Sequence, residues 1–189
     1  LSDSLKKFDE SKLSPNAKTD YLMMRDQIEA ERWYIDEFQE YLWNPAWYNI
    51  GGEFAEILNS NFTTLDARLR IISTRLKNTN QYFEVAKTNI KNPVIEHTQL
   101  AILQNEGSIE VFTVLLRDSV KASGLTVAEK KLLNERIDLT KESISSYVQF
   151  LKSMSTALNV DNSKSFRIGK ELYSKKFTFD IRSRYSADE

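Results

Sequence analysis

A chain of 189 residues, 41% of them hydrophobic, is long enough to bury a continuous core, and 26 basic against 27 acidic residues leave a net charge of −1. No broad field therefore recruits nucleic acid or an anionic membrane. The absence of cysteine excludes disulfides, thiolate metal sites and thiol nucleophiles together, and no hydrophobic run approaches the roughly 20 residues of a membrane span.

Only three prolines and five glycines punctuate the chain, which predicts helix throughout and almost no strand. Ser2 to Leu13 reads as a short amphipathic segment that stops at Ser14-Pro15. Ser14 is placed to cap the next helix and Pro15 to occupy its first turn, where a missing N–H costs nothing. Tyr21, Ile28, Ile35 and Leu42 then recur every seven residues, with Met24 and Phe38 between them, so one stripe of a long helix faces a partner. Glu31 falls on that seam; its stem is expected to pack and its carboxylate to reach water. Asn44-Pro45 ends this helix, because the residue before proline is pushed out of the helical region.

Trp43 to Leu76 is expected to form the corner about which the longer helices fold. A helix from Ala46 to Leu58 would carry Trp47, Ile50, Phe54 and Leu58 on one face and Gly51-Gly52 in its middle. Glycines there cost of order 1 kcal/mol each, so another helix is expected to approach closely. A capping threonine at Thr63-Thr64, with Asp66 in the first turn, starts a helix whose Leu65, Leu69, Ile72 and Leu76 share a face. Arg68, Arg70, Arg75 and Lys77 lie opposite and read as a solvated face, since no aromatic residues interleave them.

A short helix with Tyr82, Phe83, Ala86 and Ile90 runs on to Asn92. Pro93 opens a long one in which Ile95, Ile102, Ile109 and Leu116 recur every seven residues, supported by Leu103, Phe112 and Leu115. Gly107 interrupts it, and Gly124 is expected to end it in the left-handed region. Thr126 and Glu129 form a capping box that launches the longest helix, reaching about Asn159, with Leu133, Ile137, Ile144, Tyr147, Leu151, Met154 and Leu158 along its seam. Its expected partners are the Pro93 helix and the helix after Pro15. Asp161 to Lys164 breaks the pattern. Phe166 to Tyr185 is expected to form one helix and then an extended stretch, densely apolar and in want of a surface. The expected domains are a helical bundle over 1–160, an up-and-down array of long antiparallel helices, and a short helix with tail over 161–189. Both ends are expected to be cut, since Ser186 to Glu189 reads as the first turn of a further helix.

His97 is the only histidine, so a catalytic triad, a two-histidine zinc site and a di-iron bundle site cannot be built from these residues. Beside Glu96, near the start of a long helix, it reads as structural. Trp33, Trp43 and Trp47 with Tyr34, Tyr41 and Tyr48 could line a groove, but core and corner packing is the ordinary use of such a cluster. No catalytic, cofactor-binding or metal-ligating residue is assigned.

YNIGGEFAEILNSNFTTLDARLRIISTRL from Tyr48, NIKNPVIEHTQLAILQNEGSIEVF from Asn89 and FRIGKELYSKKFTFDI from Phe166 together resemble the bacterial family of domain of unknown function 885. The resemblance implies the amino-terminal helical part of a longer protein similar to zinc metallopeptidases of the gluzincin type. Its HExxH helix would lie beyond Glu189, and the missing carboxy-terminal domain would supply zinc, base and oxyanion stabiliser. By analogy with helical peptidases, this part would form one wall of a peptide channel, and the family implies a cell-envelope location. The residues alone leave a different class open, a stand-alone interaction module whose aromatic corner at Trp43 and Trp47 binds a partner helix.

Overall fold

The computed structural model describes residues 1–158 and 162–189. In chain order its α-helices are α1 (Ser2–Leu5), α2 (Pro15–Trp33), α3 (Gly51–Asn59), α4 (Leu65–Leu76), α5 (Thr79–Asn89), α6 (Ile95–Glu110), α7 (Leu116–Ala122), α8 (Val127–Ala157) and α9 (Lys170–Ile181). Among the described residues no sheet forms. One parallel bridge, Val94 with Lys164, is the nearest approach to one, so the fold is all-α, as the composition predicts. Residues 1–40 with 167–189 make one compact unit, and residues 41–166 another.

In the first unit Ser14 caps α2, its Oγ accepting from Ala17 N–H at 3.3 Å, with Pro15 in the first turn. The helix predicted to run to Asn44 instead leaves α geometry at Trp33, passes through a π turn over Tyr34–Phe38, and stops at Gln39 in the left-handed region. The reason lies in the aromatics. On an α-helix residues five apart stand about 140° apart around the axis. A turn closed by Gln39 N–H on Tyr34 carbonyl (2.9 Å) brings Phe38 back over Trp33, where the rings stack at 5.2 Å. The seven-residue stripe accordingly loses its partner: Trp33 and Phe38 are buried, whereas Met24 and Ile35 are exposed. Glu31 is exposed and accepts from Gln27 Nε2 at 3.0 Å. α9 starts after Gly169, whose φ of +84° suits glycine, and ends at Arg182 in the left-handed region.

In the unit 41–166, α8 is the axis, and α4, α5, α6 and α7 pack on it. The capping box forms as its spacing predicts: Glu129 N–H donates to Thr126 Oγ1 (3.3 Å), and Thr126 N–H donates to the Glu129 carboxylate (2.8 Å). Leu133, Ile137, Ile144, Tyr147 and Leu151 are fully buried along α8, facing Leu69, Ile72, Phe83 and Phe112 in the same core. Two polar contacts cross it. Thr79 and Thr140 share a hydroxyl hydrogen bond of 2.9 Å, and Arg136 Nη1 donates to Ser73 carbonyl at 2.7 Å. Of the two partners predicted for α8, α6 is one; α2 belongs to the other unit. The predicted helix end at Asn159 and the first residue of the break, Asp161, lie outside the described residues.

Three further expectations are corrected here. The Ala46–Leu58 helix is two pieces, a 3₁₀ turn over Pro45–Tyr48 and then α3, so Gly51 and Gly52 open a helix rather than interrupt one. Ile50, Phe54 and Leu58 are buried, but Trp47, on the 3₁₀ piece, is exposed. The Pro93 helix does not use its isoleucine heptad as the seam, since Ile95, Ile102 and Ile109 are only half-buried and Leu103 and Leu115 are exposed. Its core face is Thr98, Ala101, Asn105, Ser108, Phe112 and Leu116. Small residues there let neighbours approach, and the polar ones are satisfied largely on their own helix, Thr98 on Val94 carbonyl and Ser108 on Asn105 carbonyl, both at 2.8 Å. An α-carbon substituent at Gly51 would overlap Ser108 Cβ, so the close approach predicted for the glycine pair falls at Gly51. Gly124 is not left-handed. The helix ends through extended Ser123, and Gly124 N–H donates to Asp66 Oδ1 at 2.9 Å.

Candidate functional site

The aromatic corner of the unit 41–166 is built where Asn44-Pro45 breaks the chain. Asn44 Oδ1 accepts from Ala46 N–H at 3.0 Å and fixes the 3₁₀ turn. Trp43 is held through its backbone, its carbonyl accepting from Val94 N–H at 3.2 Å. Two side chains then lie against its indole: the His97 ring stacks at 5.6 Å, and Lys164 Nζ stands 4.7 Å from the ring centroid. Partial desolvation lowers the Lys164 ammonium from its ordinary pKa. His97 Nδ1 is buried and has no hydrogen-bond partner.

Next to it the tyrosines form a brace. Tyr48 OH donates to Tyr41 carbonyl (2.8 Å) and accepts from Asn89 Nδ2 (3.0 Å), while Tyr147 OH donates to Pro45 carbonyl (3.0 Å). Desolvation raises the pKa of Tyr48 and Tyr147, and pushes Tyr82 up to about 12, with Glu53 adding to it. These phenols stay protonated at neutral pH; Tyr48 and Tyr147 serve as hydrogen-bonding struts rather than bases, and Tyr82 packs edge-on against Tyr48 and Phe83.

The tryptophans do not converge on one groove. Trp33 belongs to the first unit, Trp43 is buried under His97 and Lys164, and Trp47 is 52% exposed. Nor do the four basic residues after Thr64 form a continuous patch. Arg70 pairs with Glu129 at 2.7 Å, and Arg68 is half-buried with its Nε unpartnered. Among the described residues no three of the histidine, aspartate and glutamate side chains come together as a metal site, and His97 is committed to Trp43. The described residues therefore do not fit the zinc ligand set that the resemblance implies for the longer protein.

In the first unit a pocket of about 290 Å³ lies between α2, the π turn and α9, with Trp33 and Phe179 as apolar walls and Glu29, Arg32, Asp36, Glu37 and Lys175 as charged ones. Both signs of charge are present, so the lining selects neither cation nor anion. Close by, Tyr34 OH donates to Asp180 Oδ1, and Lys176 Nζ donates to Asp180 Oδ2 (2.6 Å) and Tyr34 OH (3.0 Å). Lys176 and then Tyr34 lower the pKa of Asp180; Lys176 itself is raised, the bonds to Asp180 and Tyr34 outweighing desolvation. Sequence reading missed this trio. Lys176 and Asp180 are one turn apart on α9, but nothing local points to Tyr34.

Over residues 1–189 the chain matches the family described as bacterial protein of unknown function (DUF885). It is similar at 38% identity and a TM-score of 0.89 to a solved structure from Shewanella oneidensis, that of a candidate lipoprotein of unknown function. The match covers 99% of this chain and 34% of that one, so the chain spans about one third of the length of the structure it matches. None of the curated proteins matches it.

Proposed function

Because the chain belongs to the bacterial DUF885 family, we propose that it is the amino-terminal helical part of a longer protein of the zinc metallopeptidase type and forms one wall of a peptide-binding channel. Residues 161–189 lead toward a further domain, and that domain supplies the zinc, the general base and the oxyanion stabiliser. The observation that carries the reading is the coverage: the whole chain is matched by one third of a larger protein. The metallopeptidase component is supported by the resemblance at Gly51-Gly52, Glu96-His97-Thr98 and Phe166-Arg167-Ile168-Gly169. The lipoprotein description of the neighbour supports a cell-envelope location, and among the described residues no helix is long and apolar enough to cross a membrane.

Expressing the complete reading frame tests this. The expected result is an HExxH motif after Glu189, about one zinc per chain, and peptide hydrolysis that is lost when the HExxH glutamate is replaced by glutamine. Hydrolysis by residues 1–189 with added zinc, or a reading frame without HExxH, contradicts it. The exposure of Trp47 favours a second reading, a stand-alone helical module binding a partner helix at this corner. A stop codon directly after Glu189 would favour that module.

A further inference from the structure

The first unit leaves apolar residues uncovered on α9 and on α2 with its π turn. Its buried hydrophobic residues among those described are Leu5, Ala30, Trp33 and Phe38, a small core for the length of chain it contains. On α9 no residue is buried. One side of that helix is engaged: Phe179 packs on Trp33 at 5.5 Å, Lys176 and Asp180 hold Tyr34, and beyond the helix Arg182 Nη2 donates to Gln27 Oε1 at 3.3 Å. Tyr173, Phe177 and Ile181 follow one another at four-residue spacing on a different face, with Tyr173 53% and Ile181 57% exposed and Phe177 half-buried between them. Trp33 turns inward, while Met24 on α2, 52% exposed, and Ile35 on the π turn that follows, 57% exposed, stay uncovered; Ile28 between them is half-buried beside Leu5.

Apolar faces of this kind on a small unit mark a surface meant to be covered. We propose that the occupant is the part of the longer family protein outside residues 1–189, docking on exposed Met24 of α2 and Ile35 of the π turn, and on the Tyr173–Ile181 stripe of α9. This rests on the reading that the chain is one part of a longer polypeptide. The similar structure supports that occupant rather than a second copy: it aligns with 99% of this chain and carries about two thirds of its length beyond the match. An intramolecular neighbour also gains from a high effective concentration that a separate copy lacks.

The chain contains no cysteine, which permits single-site labelling in the intact polypeptide, any cysteines elsewhere being changed to serine. Met24→Cys and Ile181→Cys are to be compared with Val127→Cys, at a position 87% exposed in the other unit. The two docking positions are expected to react with a maleimide at least about tenfold more slowly than the control, at a rate ratio independent of protein concentration. Tyr173→Cys keeps the test open should either of these variants fail to fold, as judged by circular dichroism. Equal rates in folded, monomeric protein overturn the docking proposal and leave the longer-protein reading standing. Protection that disappears on dilution assigns the face to a second copy and likewise overturns it. A native polypeptide with nothing outside residues 1–189, read from its mass before labelling, overturns the underlying reading and the proposal together.

Discussion

At Gly51 a methyl group would fall on Ser108 Cβ, whereas at Gly52 it would meet nothing within 4 Å. Adjacent glycines in one helix turn therefore have opposite expected effects. Gly51→Ala should destabilise by about 1–3 kcal/mol through forced separation of α3 and α6, and Gly52→Ala should stabilise by about 0.4–1 kcal/mol through the unfolded chain. Urea unfolding monitored at 222 nm separates them, and equal effects would refute the packing assignment. The Tyr34–Lys176–Asp180 trio has a pH signature. Asp180 is lowered, so its contribution is present above the unfolded carboxylate value of about 3.9 and is lost as pH falls through the lower folded value. Lys176 is raised, so its contribution is present below the unfolded value of about 10.4 and is lost as pH rises through the higher folded one. Asp180→Asn should lower stability by under about 1 kcal/mol near neutral pH, given the exposure of the pair. Thermal melts of the variant and the parent should converge once the pH lies below the lowered folded value of Asp180. A difference unchanged at that pH would mean that the aspartate acts by packing rather than charge.

Helix starts were legible because they are local. Ser14 with Pro15, Thr64 with Asp66 and Thr126 with Glu129 carry their hydrogen-bond partners within a few residues of sequence, and each caps a helix in the structure. Thr126→Ala should cost about 0.5–2 kcal/mol by removing the cap of α8, measurable by denaturant titration; no change would mean that the Arg70–Glu129 pair alone holds that end. Non-local geometry was not legible. The π turn exists because Phe38 returns to Trp33, and the seam of α6 runs through Thr98, Ala101, Asn105 and Ser108 because neighbours come too close for isoleucine. A heptad of isoleucines is a strong apolar signal, yet in α6 it flanks the contact instead of forming it. The same limit hid the grouping of Trp43, His97 and Lys164, three positions far apart in sequence that meet where Val94 N–H donates to Trp43 carbonyl and Lys164 N–H to Pro93 carbonyl.

At the scale of the molecule, the unit 41–166 buries a continuous core around α8, while the unit of residues 1–40 and 167–189 keeps apolar residues uncovered on α2, its π turn and α9, and few buried residues. That contrast is expected if the second set of residues is finished by polypeptide lying elsewhere in a longer family protein. The buried tyrosines Tyr48 and Tyr147 are hydrogen-bonding struts, and His97 stacks on Trp43. The most direct test is the intact mass of the native polypeptide that contains these residues, measured after purification from the organism that makes it. The expected result is a single chain about three times as long as residues 1–189, in proportion to the similar structure; a mature polypeptide confined to these 189 residues would contradict it.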